Sequence, residues 1–355
     1  KFIFSIIILL FLIGLFFSLV STSLVASDKL DMNDYSFFFK HLIFIILGIF
    51  VIIFFSSIDQ KKLFNLSLVI FLISLAFLFL VPVLGIEVKG SKRWIDLYLL
   101  PRFQPIELVK PFLIVFVSLI LGSQKYSNIY LKYLVTFLVT SLIAILLVMQ
   151  PDIGQTILVF FSWAILIFTS GINIFFLMTL FLIITFLFLY LIFFVSKFIY
   201  IKNRILSFFD SESGTHNFQS DKAIDSITSG GFFGKGIGEG TLKNMVPEAH
   251  TDYIISVISE EFGVVAIILI LFLFLIFIHT VFKKVNLENE ERVKLILTGC
   301  VSLILMQAMI HIGVNIRLFP TTGMTLPYIS YGGSSIISTS ILSGIILNLT
   351  RRRIN

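Results

Sequence analysis

One uncharged stretch of the chain decides its structural class. Residues Ile153–Ser196 read IGQTILVFFSWAILIFTSGINIFFLMTLFLIITFLFLYLIFFVS, which is 44 residues without an Asp, Glu, Lys or Arg. An α-helix needs about 20 mostly apolar residues to cross the hydrocarbon core of a bilayer. The stretch is therefore long enough for two membrane-spanning helices, with the residues TSGIN at Thr169–Asn173 as the predicted turn.

The rest of the chain repeats this character. Hydrophobic residues make up 58% of the 355 residues and charged residues only 13%, about half the charged fraction of a soluble domain. Eight further spans are predicted: Phe2–Ser27; His41–Ile58; Leu63–Ile86; Pro111–Gln124, if its helix starts near Pro105; Tyr133–Pro151; Phe262–Phe282, with Tyr253 as an alternative start; Leu295–Ile316; and one between Pro327 and Arg351. The sequence thus predicts an all-α, polytopic membrane helix bundle of about ten transmembrane helices. We expect a single domain over 1–355 with one long extracytoplasmic loop at 197–252.

Charge sets the expected orientation. An even number of spans puts both termini on one side, together with the basic connections and the closing Arg351–Arg353. The positive-inside rule makes that side the cytoplasm. The first run is too long for a signal-peptide core, so we interpret it as a retained span. The net charge of +6 gives no indication of nucleic-acid binding, and the single Cys300 excludes an internal disulfide or a thiolate metal cluster.

The expected outer side carries a basic cluster at residues 87–110. It holds three acids against five cations, which are Lys89, Lys92, Arg93, Arg102 and Lys110. One interpretation is an anion site, in which Arg and Lys bind phosphate oxygens. The other is an interfacial loop with snorkelling basic residues and Trp94 as a membrane anchor.

The long loop contains a glycine-rich segment, Gly230–Gly240, which reads GGFFGKGIGEG. Its spacing fits neither the dinucleotide fingerprint nor the P-loop. Its glycines allow a tight backbone path whose N–H groups, with Lys235, could face an anion. A flexible surface loop is the alternative.

Several acids lie close to the predicted span ends. Asp252 precedes the eighth span and Asp152 lies in a short connection; each could cap a helix or be placed for chemistry. Of Glu260 and Glu261, at least one is expected to line a polar interior, because lipid exposure of a charge is costly. The five histidines lack metal-ligand spacing.

The segment Pro320–Ser335 contains two prolines and three glycines where the tenth span should begin. Such a composition predicts a broken or re-entrant helix start, which is tolerated when it lines a cavity. Together the outer features describe a polar, mixed-charge cavity suited to a lipid-linked phosphorylated substrate. They do not by themselves separate an enzyme from a transporter.

Six stretches, in this order along the chain, resemble the SEDS family (shape, elongation, division and sporulation). They are Lys92–Trp94; Arg102–Glu107 with Lys110; Gln150–Gly154; Gly230–Gly236; Glu248–Tyr253 with Glu260–Gly263; and Pro320–Ser335. Ile106 departs from the family pattern, which has Ser there. Gly238–Lys243 and Gly323–Pro327 are more similar to the division branch than to the elongation branch.

The resemblance implies a peptidoglycan glycosyltransferase that polymerises lipid II during cell division. Its expected place is the outer face of the bacterial cytoplasmic (inner) membrane, with both termini cytoplasmic, and its expected partners are a class B penicillin-binding protein transpeptidase and other division proteins. Asp252 matches the family's essential aspartate and is the expected catalytic base. The expected substrate-binding residues are Lys92, Arg93, Trp94, Arg102, Gln104, Glu107, Lys110, Asp152, Lys235, Glu248, His250, Thr251, Ser330, Gly332, Gly333 and Ser334. No cofactor is required and no metal cage is visible, although a divalent cation (Mg or Mn) could share the pyrophosphate.

Three other functions remain open at this point. The first is a flippase that moves lipid II across the membrane, because intramembrane carboxylates and broken helices also occur in transporters. The second is the same polymerase serving cell elongation. The third is a scaffold that only recruits division proteins, which leaves the outer charge cluster unexplained.

Overall fold

The computed structural model describes residues 1–22, 36–88, 91–96, 101–124, 128–195, 198–209 and 218–351. Over these ranges the chain is mostly helical, as predicted. The helices are α1 (Phe2–Thr22), α2 (Ser36–Ser57), α3 (Gln60–Leu84), α4 (Pro105–Leu121), α5 (Ile129–Met149), α6 (Ile153–Thr169), α7 (Ile174–Phe194), α8 (Ile199–Phe209), α9 (Phe218–Gly230), α10 (Ile254–Val285), α11 (Glu291–Asn315) and α12 (Gly333–Thr350).

Ten of the described helices correspond to the predicted spans. Eight are long and apolar enough to cross a membrane. The other two, α4 and α6, have 17 residues each, and α4 starts at Pro105 with Glu107 in its first turn. The chain is a multi-pass membrane protein. The predicted turn at Thr169–Asn173 also lies between α6 and α7.

Helix boundaries differ from the apolar runs at several ends. Helix α2 starts at Ser36 and so includes Lys40, and α3 starts at Gln60. Helix α1 ends at Thr22, and the last residues of the predicted first run lie outside the described ranges. Helices α2 and α3 extend past their uncharged stretches because long basic side chains reach water from the ends of a span.

Helices α4, α11 and α12 form the buried centre of the bundle, whereas α7 buries only Ile192 among its side chains. Small residues let the helices approach closely. A Cβ on Gly344 of α12 would lie 2.6 Å from Phe55 Cβ on α2, and Asn348 Nδ2 donates to Phe55 O at 2.9 Å. Close backbone approach and interhelical hydrogen bonds replace the hydrophobic effect as the packing force in a bilayer.

The hairpin after α3 was not predicted. Strands β1 (Ile86–Val88) and β2 (Ser91–Trp94) pair antiparallel, with Glu87 opposite Lys92. Their alternating polar residues lie beyond the end of α3, where backbone groups need partners that the helix no longer provides. The hairpin brings Arg93 and Trp94 to the end of the bundle where α4 begins.

The long loop forms two helices, α8 and α9, followed by a short 3₁₀ turn at Leu242–Met245. Helix α10 follows, 32 residues long and kinked at Gly263, whose φ is 74°. Between α11 and α12 the segment Pro320–Gly332 is not helical, in agreement with the predicted broken helix start.

Candidate functional site

A cavity of about 1150 Å³ opens at the end of the bundle where α2, α4, α10 and α12 begin. The hairpin, α8, α9 and the Pro320–Gly332 segment complete its walls. Many of the residues predicted from sequence line it: Arg93, Trp94, Arg102, Gln104, Glu107, Glu248, Thr251, Asp252, Gly332, Gly333 and Ser334.

Asp252 lies in the cavity wall just before α10. Tyr253 occupies the N-cap position, so the alternative in which Asp252 caps this helix is not what the structure shows. The Asp252 backbone is fixed at both polar groups: its N–H donates to Glu248 O at 3.1 Å, and its carbonyl accepts from Asn315 Nδ2 at 3.0 Å. The carboxylate is thereby presented from a rigid backbone.

Gly323 marks the point where Asp252 and Arg93 approach each other. A Cβ on Gly323 would lie 3.6 Å from Asp252 Oδ2 and 4.0 Å from Arg93 Nη1. The φ of Gly323 is 72°, a conformation that costs other residues free energy. A side chain at this position would therefore contact both the carboxylate and the guanidinium, whereas glycine leaves that space open.

Arg93 is held by Asp152, which lies behind the cavity wall. The ion pair measures 3.6 Å, and the same carboxylate accepts from Gln104 Nε2 at 3.0 Å. Asp152 also caps α6 by accepting from Gln155 N at 3.4 Å, so the structure shows the cap interpretation of this residue. Burial raises the pKa of Asp152, and the Arg93 charge partly opposes that rise. Asp152 is therefore a positioning group for Arg93 and does not itself line the cavity.

Glu107 and Lys110 form a buried pair beneath the cavity. Lys110 Nζ donates to Glu107 Oε1 at 2.8 Å and to Gln307 Oε1 at 3.2 Å, and its side chain has no exposed surface. Gln155 Nε2 donates to the same Glu107 oxygen at 2.8 Å. Glu107 lines the cavity whereas Lys110 does not, so the structure places the predicted substrate-binding residue Lys110 beneath the cavity surface.

Two further predicted cations lie at the edge of the site. Arg102 lines the cavity and pairs with Asp96 at 3.0 Å, with 64% of its side chain exposed. Lys92 lies outside the main cavity and lines a smaller one of about 280 Å³ beside Glu87 and Gln150.

The glycine-rich segment does not form the anion cradle that its composition suggested. Lys235 N donates to Glu260 O at 2.9 Å and Gly236 N donates to Glu261 O at 3.0 Å, so these N–H groups satisfy the carbonyls freed by the α10 kink. The Lys235 side chain pairs with Glu260 at 3.5 Å and is absent from the cavity wall. Glu260 and Glu261 are buried, as expected, but they anchor this loop instead of lining the cavity.

His250 and Ser330 have local structural contacts. The His250 ring lies 4.5 Å from that of Phe37, and its carbonyl accepts from Tyr331 N at 3.1 Å. Ser330 Oγ accepts from Leu326 N at 2.8 Å within the turn that precedes α12. Neither residue lines the cavity.

Sequence reasoning missed several polar lining residues outside its motifs, among them Lys40, Asn203, Arg204 and Gln219, and it did not single out Thr321, Thr322 and Tyr331 within the predicted Pro320–Ser335 segment. The most informative is Arg204 on α8, whose Nε donates to Thr321 Oγ1 at 3.1 Å and whose Nη2 donates to the same oxygen. No motif marks α8. The only available signal was the polarity of the loop that contains it.

The cavity wall thus carries cations from four separate elements, Lys40, Arg93, Arg102 and Arg204, and the carboxylates Glu107, Glu248 and Asp252. Such a surface can bind a polyanion and accept a proton from a neighbouring hydroxyl. Among the residues that the structure describes, no group of three or more His, Cys, Asp or Glu could hold a metal ion.

The chain is similar to known proteins over nearly its whole length. The family model described as "Cell cycle protein", which covers FtsW, RodA and SpoVE, matches residues 1–355. The protein named "Probable peptidoglycan glycosyltransferase FtsW" from Caulobacter vibrioides is 30% identical, covering 97% of this chain and 87% of its own. Its namesake from Geobacter metallireducens is 33% identical, covering 94% of this chain and 89% of its own.

Solved structures show the same fold. One, named "Structural coordination of polymerization and crosslinking by a peptidoglycan synthase complex", has a TM-score of 0.76 at 23% identity, covering 97% of this chain and 96% of its own. The rod shape determining protein RodA of Thermus thermophilus has a TM-score of 0.71 at 24% identity, covering 99% of this chain and 97% of its own. The full-length family match, which agrees with the motifs around the cavity, shows that this chain belongs to the FtsW/RodA/SpoVE family of cell cycle proteins, the SEDS family, with the FtsW branch favoured.

Proposed function

We propose that this cavity polymerises lipid II into glycan strands, with Asp252 as the general base. The enzyme class follows the curated relatives, which carry the name peptidoglycan glycosyltransferase. The observation that carries the proposal is the placement of the Asp252 carboxylate beside Arg93, across the space left by Gly323. It puts a proton acceptor and a phosphate-binding cation within reach of one substrate.

The chemistry requires both groups. The 4-hydroxyl of the acceptor sugar attacks the anomeric carbon of the donor, the bond to the polyprenyl pyrophosphate breaks, and the pyrophosphate leaves with the bonding electrons. Asp252 takes the hydroxyl proton, a contribution of about 10²–10⁴-fold in rate. Arg93, Arg102 and Arg204 stabilise the charge that develops on the leaving oxygen. A Mg or Mn ion shared with the pyrophosphate stays a prediction.

The direction of the site is part of the proposal. The cavity faces the outer side of the bacterial cytoplasmic membrane and both termini face the cytoplasm, which the positive-inside rule supports. We also propose a division role and a class B penicillin-binding protein as partner. The support is the FtsW name of the relatives and the synthase-complex name of the structural neighbour.

The flippase alternative is less well supported by the cavity floor. Lys110, Glu107 and Gln307 are joined by hydrogen bonds and are buried. A transport pathway would have to open this network to carry a sugar headgroup through the bundle. A polymerase needs the cavity only from one side.

The test is polymerisation of labelled lipid II in liposomes by the purified chain with its transpeptidase partner. We expect wild type to make glycan chains and Asp252→Asn to lose at least about 10²-fold in rate. Asp225→Asn on α9, which removes an exposed carboxylate paired with Lys222, should leave the rate unchanged. Full activity of Asp252→Asn would show that the base assignment is wrong. Movement of lipid II between leaflets without chain formation would favour the flippase.

A further inference from the structure

The glycine-rich segment Gly230–Gly240 has no role in the cavity, yet it is attached firmly to α10. In addition to the donors from Lys235 and Gly236, its carbonyls accept hydrogen bonds from the helix beyond the kink. Gly231 O accepts from Val264 N at 3.0 Å, and Phe232 O accepts from Val265 N at 3.2 Å. These bonds fix the position of Phe232 along the α10 axis.

That position can be related to the bilayer by counting along α10. The helix carries Lys283 and Lys284 in its last turn, which marks its far boundary with water. A hydrocarbon core of about 30 Å takes about 20 residues at about 1.5 Å per residue. Counting back from Lys283 places the near boundary at about residue 263. Phe232 is therefore bonded to α10 at the edge of the hydrocarbon core, on the cavity side.

The side chains at this level are apolar and exposed. Phe232, Phe233 and Ile237 are 76%, 84% and 66% exposed. The neighbouring surface of α10 is also apolar and exposed, from Val264 and Val265 through Ile268 and Leu269. Contiguous exposed apolar surface of this kind marks a site of interaction with a protein or a membrane.

We propose that Phe232, Phe233 and Ile237 form an interfacial anchor that inserts into the lipid leaflet on the cavity side. Lipid is the occupant because the anchor is bonded to α10 next to Val264 and Val265, where the exposed apolar face of that helix begins. Backbone hydrogen bonds at the kink attach the anchor to α10, and α10 begins at Ile254, two residues after Asp252. Through this helix the anchor couples the depth of the protein in the bilayer to the position of the cavity wall.

The experiment measures depth and needs no polymerase activity. A polar maleimide fluorophore is attached to Phe233→Cys in the full-length protein, reconstituted alone into phosphatidylethanolamine/phosphatidylglycerol liposomes. The native Cys300 is buried in α11. Wild type treated with the same fluorophore verifies that this cysteine does not react. Quenching is then compared between phospholipids with a nitroxide near the top of the acyl chain and aqueous iodide.

Two matched variants calibrate the measurement. Glu239→Cys lies in the same segment and is exposed and polar, and Ile268→Cys lies on the exposed face of α10. We expect the label at 233 to resemble that at 268, with lipid quenching several-fold above that at 239 and protection from iodide. A label at 233 that behaves like the one at 239 overturns the proposal. Protection that appears only after the partner transpeptidase is added also overturns it and assigns the surface to that protein. Phe232→Cys repeats the measurement if Phe233→Cys does not fold.

Discussion

The side chains of Asp252 and Arg93 both lie close to Gly323. Asp252 Oδ2 and Arg93 Nη1 lie 3.6 Å and 4.0 Å from the position that a Cβ on Gly323 would occupy. The two residues come from separate elements, Asp252 from the segment just before α10 and Arg93 from the β-hairpin. The lack of a side chain at a third segment, at Gly323, therefore leaves open the space that both groups face.

Gly323→Ala tests this space. The added methyl would occupy the gap, and the positive φ would cost about 1–2 kcal/mol. We expect polymerisation to fall by about 10²-fold, because the methyl would displace a substrate bound in this space and a displacement of about 1 Å has that effect. Gly171→Ala provides the control, because Gly171 has a φ of 91° and nothing within 4 Å of its added Cβ. Equal loss of activity in both variants would mean that backbone strain alone is responsible.

Lys110→Met tests the buried pair. Removing one partner leaves the Glu107 carboxylate buried without its cation, which costs about 3–5 kcal/mol of unfolding free energy. We expect the double variant Lys110→Met/Glu107→Gln to recover part of this loss. Lys222→Met breaks an exposed pair of the same i,i+3 spacing and should cost less than about 0.5 kcal/mol. Steric trapping in bicelles measures the free energy of unfolding of all three variants. Similar losses of this free energy for Lys110→Met and Lys222→Met would contradict the inferred cost of leaving the buried Glu107 carboxylate without its cation.

Arg204→Gln tests the cation that no motif marked. Loss of a guanidinium facing the cavity should raise the KM for lipid II by about tenfold, the equivalent of about 1.4 kcal/mol, and should weaken the salt dependence of binding. Lys202→Gln is the control on the same helix, since Lys202 lies over the Phe193 ring and is absent from the cavity wall. Initial rates measured against lipid II concentration give the KM of each variant. An unchanged KM in Arg204→Gln would remove Arg204 from the binding surface.

Gly234→Ala tests the attachment of the glycine-rich segment to α10. Its Cβ would lie 2.1 Å from Glu261 O, which forces the backbone bonds at the kink to separate. Two lost hydrogen bonds at about 1 kcal/mol each add to the cost of the positive φ. Gly238→Ala shares the positive φ and has nothing within 4 Å of its Cβ. We expect a clearly lower Tm for Gly234→Ala, and equal Tm values would argue against the clash.

Much of the fold was predictable because a bilayer requires about 20 mostly apolar residues in each span. The 44-residue run correctly predicted α6, α7 and the turn between them. Helix α4 starts at Pro105, the start that its short apolar run needed to reach the length of a span. The hairpin was missed because a strand of three or four residues has too little periodicity to recognise beside a charge cluster. Helix ends such as Ser36 on α2 were missed because helices continue into the interface, where hydropathy falls.

The sequence by itself determined that this is a membrane bundle, which family motifs it carries and that its charges lie near one end. Only the tertiary structure decided which of those charges line the cavity and which are paired elsewhere. Lys235 and Lys110 carry the same charge as Arg93, but one pairs with Glu260 at a helix kink and the other with Glu107 under the floor. Arg204, which no motif indicated, lines the cavity. The reason is that Coulomb and hydrogen-bond energies depend on separations of a few ångströms, and those separations are set by helix packing, not by distance along the chain.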